Sequence, residues 1–363
     1  MNITRTTRTG GALTLAVMTA LVVAGCTNAP GSAEASAAAD NGGYADKLAP
    51  IPCEASPTTD ELLNAEAPRA DERYEITVLL ASLSGYYYQA MAYGATQAAE
   101  QSGVEVTIQA GSGYTTPEAQ LTQAQTAIQQ GADAIVIQPV DPRGSLPVLK
   151  AAQEADIPVI VTSTELASSE QAGTVVQDDY AIGVAGADQL AKLHPDGGKG
   201  VLIAGPATAT WSVKRAAGFT DRIKEEYPDF EIVASPTQPV DPSVGLSDFT
   251  AAAQANPGVE WVYSVFFYQL LPGSLPAQYA GIPFVTTGYE PAAITALQDG
   301  SLKETMQLDN VWMGSEPVYQ AISVLNGDSI PRITCMPQDV YSVADIGSPS
   351  ADGELYPEEF VAK

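Results

Sequence analysis

The side chains best suited to chemistry in this sequence are aromatic. Ser84-Gly85 is followed by Tyr86, Tyr87 and Tyr88, and further rings stand at Tyr114, Trp211, Phe266, Tyr268, Tyr289 and Trp312. An aromatic face attracts a cation by about 0.5–2 kcal/mol per contact, depending on desolvation. The same faces stack on the apolar side of a sugar, so the ring inventory alone leaves both ligands open. Asp141, Asp178, Asp179 and Glu290 are candidate counter-charges, and Asp241 and Asp309 hold similar positions. Each acid is as well suited to capping a helix or lying solvated as to touching a ligand. Ser163, Thr164 and Ser212 add small hydroxyls.

Chemistry that makes or breaks bonds has little to stand on. The sole histidine, His194, precedes Pro195 at an expected helix end, where a capping or surface role fits. One histidine supports neither a Ser-His pair nor a His-based metal cluster. Gly111-x-Gly113 lacks a third glycine, and no Gly-rich motif ends in Lys-Ser/Thr. Non-enzymatic binding, with no cofactor and no metal, is the expectation.

The elements that must position these residues alternate. Apolar runs too short for helices occur at 76–81, 104–109, 134–138, 158–162 and 174–176. Helical patterns separate them at 88–102, 117–130 and 146–155, with Gly103, Gly131 and Asp156 where stops belong. A second alternation runs through helices 182–193, 213–226, 245–254, 291–298 and 314–325. Its strands are 200–204, 231–235, 261–265, 283–287, 303–308 and a last piece at 339–343. Alternation of this kind predicts an α/β fold with two parallel sheets side by side and a cleft between them. Ligands in such sheets lie beyond the carboxyl ends of strands, which is where most of the residues named above fall.

At 363 residues the chain has room for two domains. A formal charge of −27 disfavours nucleic acid. Arg5 and Arg8 precede an apolar, small-residue stretch from Gly11 to Gly25 that ends at Cys26. This predicts a leader over 1–25 that resembles a lipoprotein signal, with Cys26 lipidated and the mature protein anchored outside the cytoplasm. Residues 26–73 read as a tether and an irregular lead-in. Cys53 and Cys335 are left as a pair, which an oxidising compartment favours bridging.

Several segments carry a family likeness. They are Gln129-Gln130-Gly131-Ala132-Asp133-Ala134-Ile135-Val136-Ile137-Gln138-Pro139, Ala155-Asp156-Ile157-Pro158-Val159-Ile160, Lys214-Arg215-Ala216-Ala217-Gly218-Phe219 and Leu297-Gln298-Asp299-Gly300-Ser301-Leu302. In this order and spacing the chain resembles the type 1 periplasmic binding proteins of the ribose-binding-like group. The likeness runs from about Tyr74 to Ile346. It implies two Rossmann-like lobes joined by a multi-crossover hinge, a small solute held in the cleft and delivery to an ABC importer. The implied N-terminal lobe is 74–176 plus 309–338, and the C-terminal lobe is 177–308 plus 339–350. Residues 351–363 are expected to be a loosely ordered tail. The hinge is expected near 176–178, 307–309 and 339–343.

The pattern departs from the sugar-binding members at instructive places. Their Asp-Arg pair after the fourth strand corresponds to Ser163 and Thr164, their Asn-Asp pair to Phe266 and Phe267, and a helix-start arginine to Val213. A narrower likeness is to the branch that senses trimethylamine N-oxide beside a histidine kinase. It rests on Tyr87-Tyr88, Ala110-Gly111-Ser112-Gly113-Tyr114, Gly205-Pro206, Tyr289 and Asp309-Asn310-Val311-Trp312-Met313-Gly314. That branch's hinge tryptophan corresponds to Asp179. This likeness implies a methylated amine or N-oxide as ligand and a sensor kinase as partner.

Overall fold

In a computed structural model the described residues are 47–113 and 116–362. The first half contains α1 (Thr59–Asn64), β1 (Glu75–Leu80), α2 (Tyr86–Ser102), β2 (Glu105–Ala110), α3 (Pro117–Gln130), β3 (Ala134–Ile137), α4 (Leu146–Gln153), β4 (Val159–Ser163) and β5 (Gly173–Val176). The second half continues with α5 (Asp179–Leu193), β6 (Gly198–Ile203), α6 (Thr210–Glu226), β7 (Phe230–Ala234), α7 (Pro242–Ala255), β8 (Val259–Ser264), β9 (Phe284–Thr286), α8 (Pro291–Asp299) and β10 (Glu304–Met306). The chain then returns through α9 (Asn310–Leu325), β11 (Ile333–Cys335), β12 (Val340–Ser342) and α10 (Pro349–Gly353).

Two parallel sheets result. One has the order β11-β5-β4-β3-β1-β2 and the other β7-β6-β8-β9. Their central strands are near-continuous apolar runs because helices cover both faces. In β1 every residue from Ile76 to Leu80 is buried. β10 and β12 add a short antiparallel pair, linked to the second sheet through a bridge between Thr287 and Met306.

Each lobe contains one helix crossing in which backbones touch. A Cβ on Gly94 of α2 would stand 1.9 Å from the Val311 carbonyl oxygen, and one on Gly314 of α9 would stand 1.9 Å from that of Met91. In the other lobe, Gly183 of α5 faces the Arg215 carbonyl and Gly218 of α6 the Tyr180 carbonyl, each at 2.1 Å from an added Cβ. Neither crossing admits even alanine without backbone movement.

Polar caps extend several helices beyond their apolar periodicity. Asp178 accepts from Ala181 N and starts α5 at 179 rather than 182. Asp309 accepts from Trp312 N and starts α9 at 310 rather than 314. Asp179 and Trp312 therefore lie in first helical turns, not in loops. Part of the lead-in is also ordered: Thr58 and Glu61 form a reciprocal capping box on α1.

Cys53 and Cys335 are joined in a disulfide. It ties the lead-in to β11, a strand too short to announce itself. The last residues correct the expectation of a loose tail. Ala351 is fully buried, Glu354 is 1% exposed, and Tyr356 and Phe360 pack on Tyr86 and Tyr93. The expected leader, Cys26 and Tyr114 lie outside the described residues.

Candidate functional site

A chamber of about 760 Å³ lies between the lobes. One wall is built from the loop after β1 and the first turn of α2. Gly85, at φ +89°, turns the chain so that Tyr86, Tyr87 and Tyr88 enter α2 facing the chamber. Tyr87 and Tyr88 meet edge to face with ring centroids 5.0 Å apart. The Tyr87 hydroxyl is hydrogen-bonded to Ser163 Oγ. Gln138 Nε2 donates to Ser163 Oγ at 3.2 Å, while its Oε1 accepts from Ala81 N at 3.1 Å. Ser163 holds φ +66°, a left-handed conformation costly for a residue with a Cβ. Burial pushes the Tyr87 hydroxyl well above the usual phenol range. This network fixes the ring from behind.

The opposite wall is an aromatic row from the second lobe. Trp211 and Phe266 meet at 6.0 Å, and Phe266 and Tyr268 at 5.9 Å. Arg215 stands one turn after Trp211, its guanidinium 5.2 Å from the indole centroid. Its Nε donates to Asp179 Oδ1 at 2.8 Å and its Nη1 to the Val265 carbonyl at 2.9 Å. Gln177 and Leu308 close the hinge side. Behind the chamber Lys214 of α6 pairs with Glu165, which follows β4 in the other lobe, and both side chains are buried.

Glu290 is the exceptional charge. It is 5% exposed, lines the chamber, and its Oε1 has no hydrogen-bond partner among the described residues. Burial alone pushes its pKa up to about 8. Among the described residues lining the chamber the charged ones are Asp141, Arg215 and Glu290. Arg215 is matched by Asp179, and Asp141 accepts from Arg143 N at 2.9 Å and Gly144 N at 2.5 Å.

The expected residues therefore divide. Ser84, Tyr86, Tyr87, Tyr88, Asp141, Thr164, Trp211, Phe266, Tyr268 and Glu290 line the chamber. Ser163 stands behind Tyr87. Asp178, Asp241 and Asp309 are helix caps: Asp178 accepts from Ile51 N and Ala181 N, Asp241 from Ser243 N and Val244 N, and Asp309 from Trp312 N. Ser212 donates to the Ala204 carbonyl at 2.6 Å and holds the loop after β6. Asp179 is committed to Arg215. Tyr289 is 1% exposed and packs against Tyr341 at 4.9 Å, and Trp312 is 6% exposed in the core; neither lines the chamber.

Arg215, Gln177 and Leu308, which also line the chamber, were not among the expected site residues. Arg215 had a readable signal: it is four residues after Trp211, hence on the same helix face. The hinge residues had none, because their place depends on how the crossovers pack. Correspondingly, the substitution of the family's helix-start arginine by Val213 does not leave the chamber without a guanidinium. His194 caps α5 and lies 3.5 Å from Glu260, outside the chamber lining. Among the described residues no group of three or more His, Cys, Asp or Glu could hold a metal ion. The arrangement is one for enclosing a solute.

Comparison with known proteins identifies the family. The model of the periplasmic binding protein domain matches residues 76–329. The ribose import binding protein of Escherichia coli strain K12 is 24% identical over 258 residues, covering 70% of this chain and 86% of the relative. The D-apiose import binding protein of Actinobacillus succinogenes is 25% identical over 252 residues, covering 68% and 80%. Among solved structures, an ABC transporter solute binding protein from Bradyrhizobium sp. BTAi1, with bound bis-tris, superimposes with a TM-score of 0.73. It is 21% identical, and 81% of this chain and 90% of that one are covered. That last likeness speaks for the fold alone.

Proposed function

The chain belongs to the periplasmic binding protein domain family, and from that premise we propose that it captures a small polyhydroxylated solute outside the cytoplasm and hands it to the permease of an ABC importer. The observation that carries this reading is the make-up of the chamber: aromatic walls from both lobes, with the Glu290 carboxyl also in the lining. Rings stack on the apolar face of a saccharide, and a buried carboxyl that lacks a partner gains one from a hydroxyl. The ribose and apiose relatives agree with a sugar-like ligand.

The assigned contact residues are Ser84, Tyr86, Tyr87, Tyr88, Thr164, Trp211, Arg215, Phe266, Tyr268 and Glu290. The lobes are assigned as 74–176 with 309–338 and 177–308 with 339–350, moving about the three crossovers. Closure is conditional on solute because only the closed form completes both walls. The protein is tethered to the membrane through lipid on Cys26. Cys26→Ala would then move it from the membrane fraction to the soluble one, and retention in the membrane would refute the anchor.

The unpartnered carboxyl also favours a second reading. A methylated amine or N-oxide would pair with ionised Glu290 and lie against the rings. On that reading the closed form would be presented to a histidine kinase rather than to a permease. Thermal-shift screening against sugars, polyols, methylamines and N-oxides separates the two. A ligand at about 100 times its dissociation constant stabilises by about 2.7 kcal/mol. Shifts with sugars or polyols alone support import of a saccharide. Shifts with amines or N-oxides alone sink that reading and support the sensor.

A further inference from the structure

The end of the chain is built into one lobe and seated on the other. Ala351 of α10 is fully buried in the core of the C-terminal lobe, in the same cluster as Tyr289 and Tyr341, with Leu355 packed against it. Glu354 follows, buried within electrostatic reach of Asp309 at a hinge crossover. The chain then reaches α2 of the N-terminal lobe. Tyr356 lays its ring 4.6 Å from Tyr86, Phe360 meets Tyr93 at 5.1 Å, and Ala362 N donates to Gln89 Oε1 at 2.9 Å. Tyr86, Gln89 and Tyr93 share one face of α2 by their spacing of three and four.

This path runs along the chamber. Tyr86 lines it, and Tyr356 lies within electrostatic reach of Glu290 on the opposite wall. The three crossovers join the lobes covalently at the hinge, and the buried Lys214–Glu165 pair joins them by contact; this segment adds a further contact between them. Rotation about the hinge must therefore break one of its two attachments. The α10 end is embedded in a core. The α2 end is a half-buried ring cluster, with Phe360 and Ala362 packed against the edge of a core and one backbone hydrogen bond, and no residue of it is fully buried, so it is the weaker attachment.

We propose that residues 354–362 form a latch that holds the lobes together in the solute-free protein and leaves α2 when the cleft opens. The latch goes beyond the solute reading and does not depend on it, because it acts before any solute binds.

Single-molecule energy transfer in solute-free protein tests it, with dyes on cysteines placed at the exposed positions Glu100 and Lys224, one in each lobe. The expected result is a loss of transfer efficiency in the Tyr356→Ala/Phe360→Ala variant, with Tyr356→Phe restoring it. Tyr93→Ala removes the same ring cluster from the α2 side and should cause the same loss, which covers the case that the tail variant fails to fold. Equal efficiencies in the wild type and in folded variants would overturn the latch, whatever the solute proves to be.

Discussion

Arg215 and Asp179 meet at 2.8 Å beneath the chamber, each on a different helix of the second lobe and each almost wholly buried. The pair decides where the guanidinium points. With Nε committed to Asp179 and Nη1 to Val265, the group is held beside Trp211. Asp179→Ala would leave a buried cation without its partner, and a loss of about 3–5 kcal/mol is expected. Asp179→Ala combined with Arg215→Met should recover most of it. Urea titration checks both, and a single variant that unfolds at the wild-type midpoint would show the pair to be dispensable.

Glu290 predicts a pH dependence. Its folded pKa of about 8 lies above the value of 4.5 expected of the unfolded chain, so the folded protein holds the proton more tightly. The resulting stability is fully present below about pH 4.5 and is lost as pH rises through 8. Solute-free protein should lose on the order of a few kcal/mol from this group between pH 5 and 9. Glu354 and Asp309, also raised by burial, act in the same sense. The informative quantity is therefore the difference between wild type and Glu290→Gln, which should be largest at high pH. Parallel pH profiles would remove Glu290 from the account.

Tyr88→Ala and Trp211→Ala take one ring from each wall. Each should weaken solute binding at least about tenfold, which is 1.4 kcal/mol. Loss of a ring contact on the scale of 0.5–1.5 kcal/mol together with buried area accounts for that size. The melting temperature of the solute-free lobes should change little. Calorimetry with whichever compound gives a thermal shift measures this, and unchanged affinity in both variants would place the solute elsewhere.

Gly94→Ala or Gly183→Ala should destabilise by about 1–3 kcal/mol or more, since the added methyl meets a carbonyl oxygen. Gly353→Ala, where an added Cβ meets nothing within 4 Å, is the control. Equal midpoints for Gly94→Ala and Gly353→Ala in denaturant titration would refute the backbone contact.

Reduction should be costly as well. The disulfide links residues 282 apart in sequence, and its loss is expected to remove about 2–5 kcal/mol. A melting temperature insensitive to reductant would contradict this.

The fold was legible because buried parallel strands are short apolar runs and three of the helices between them stop at a left-handed glycine, Gly103, Gly131 and Gly300. The lining of the chamber was legible where side chains follow strands directly, as at Tyr86–Tyr88, Phe266 and Glu290. The acids misled. Asp178, Asp241 and Asp309 each stand just before a helix, and their position suited a cap as well as a ligand. Tyr289 and Glu290 show the limit most sharply. Adjacent in sequence, one points into the core and the other lines the chamber. The seating of Tyr356 on Tyr86 had no local signal, since nothing in residues 351–363 encodes a partner 270 positions earlier.

The glycine crossings have a mechanical consequence. Where backbone lies on backbone there is no side chain to slide or change rotamer, so each crossing is a stiff joint. Compliance is then left to the crossovers between the lobes. Each lobe should swing as a lever, with Tyr87 and Ser163 keeping their separation on one arm and Arg215 and Trp211 keeping theirs on the other throughout the stroke.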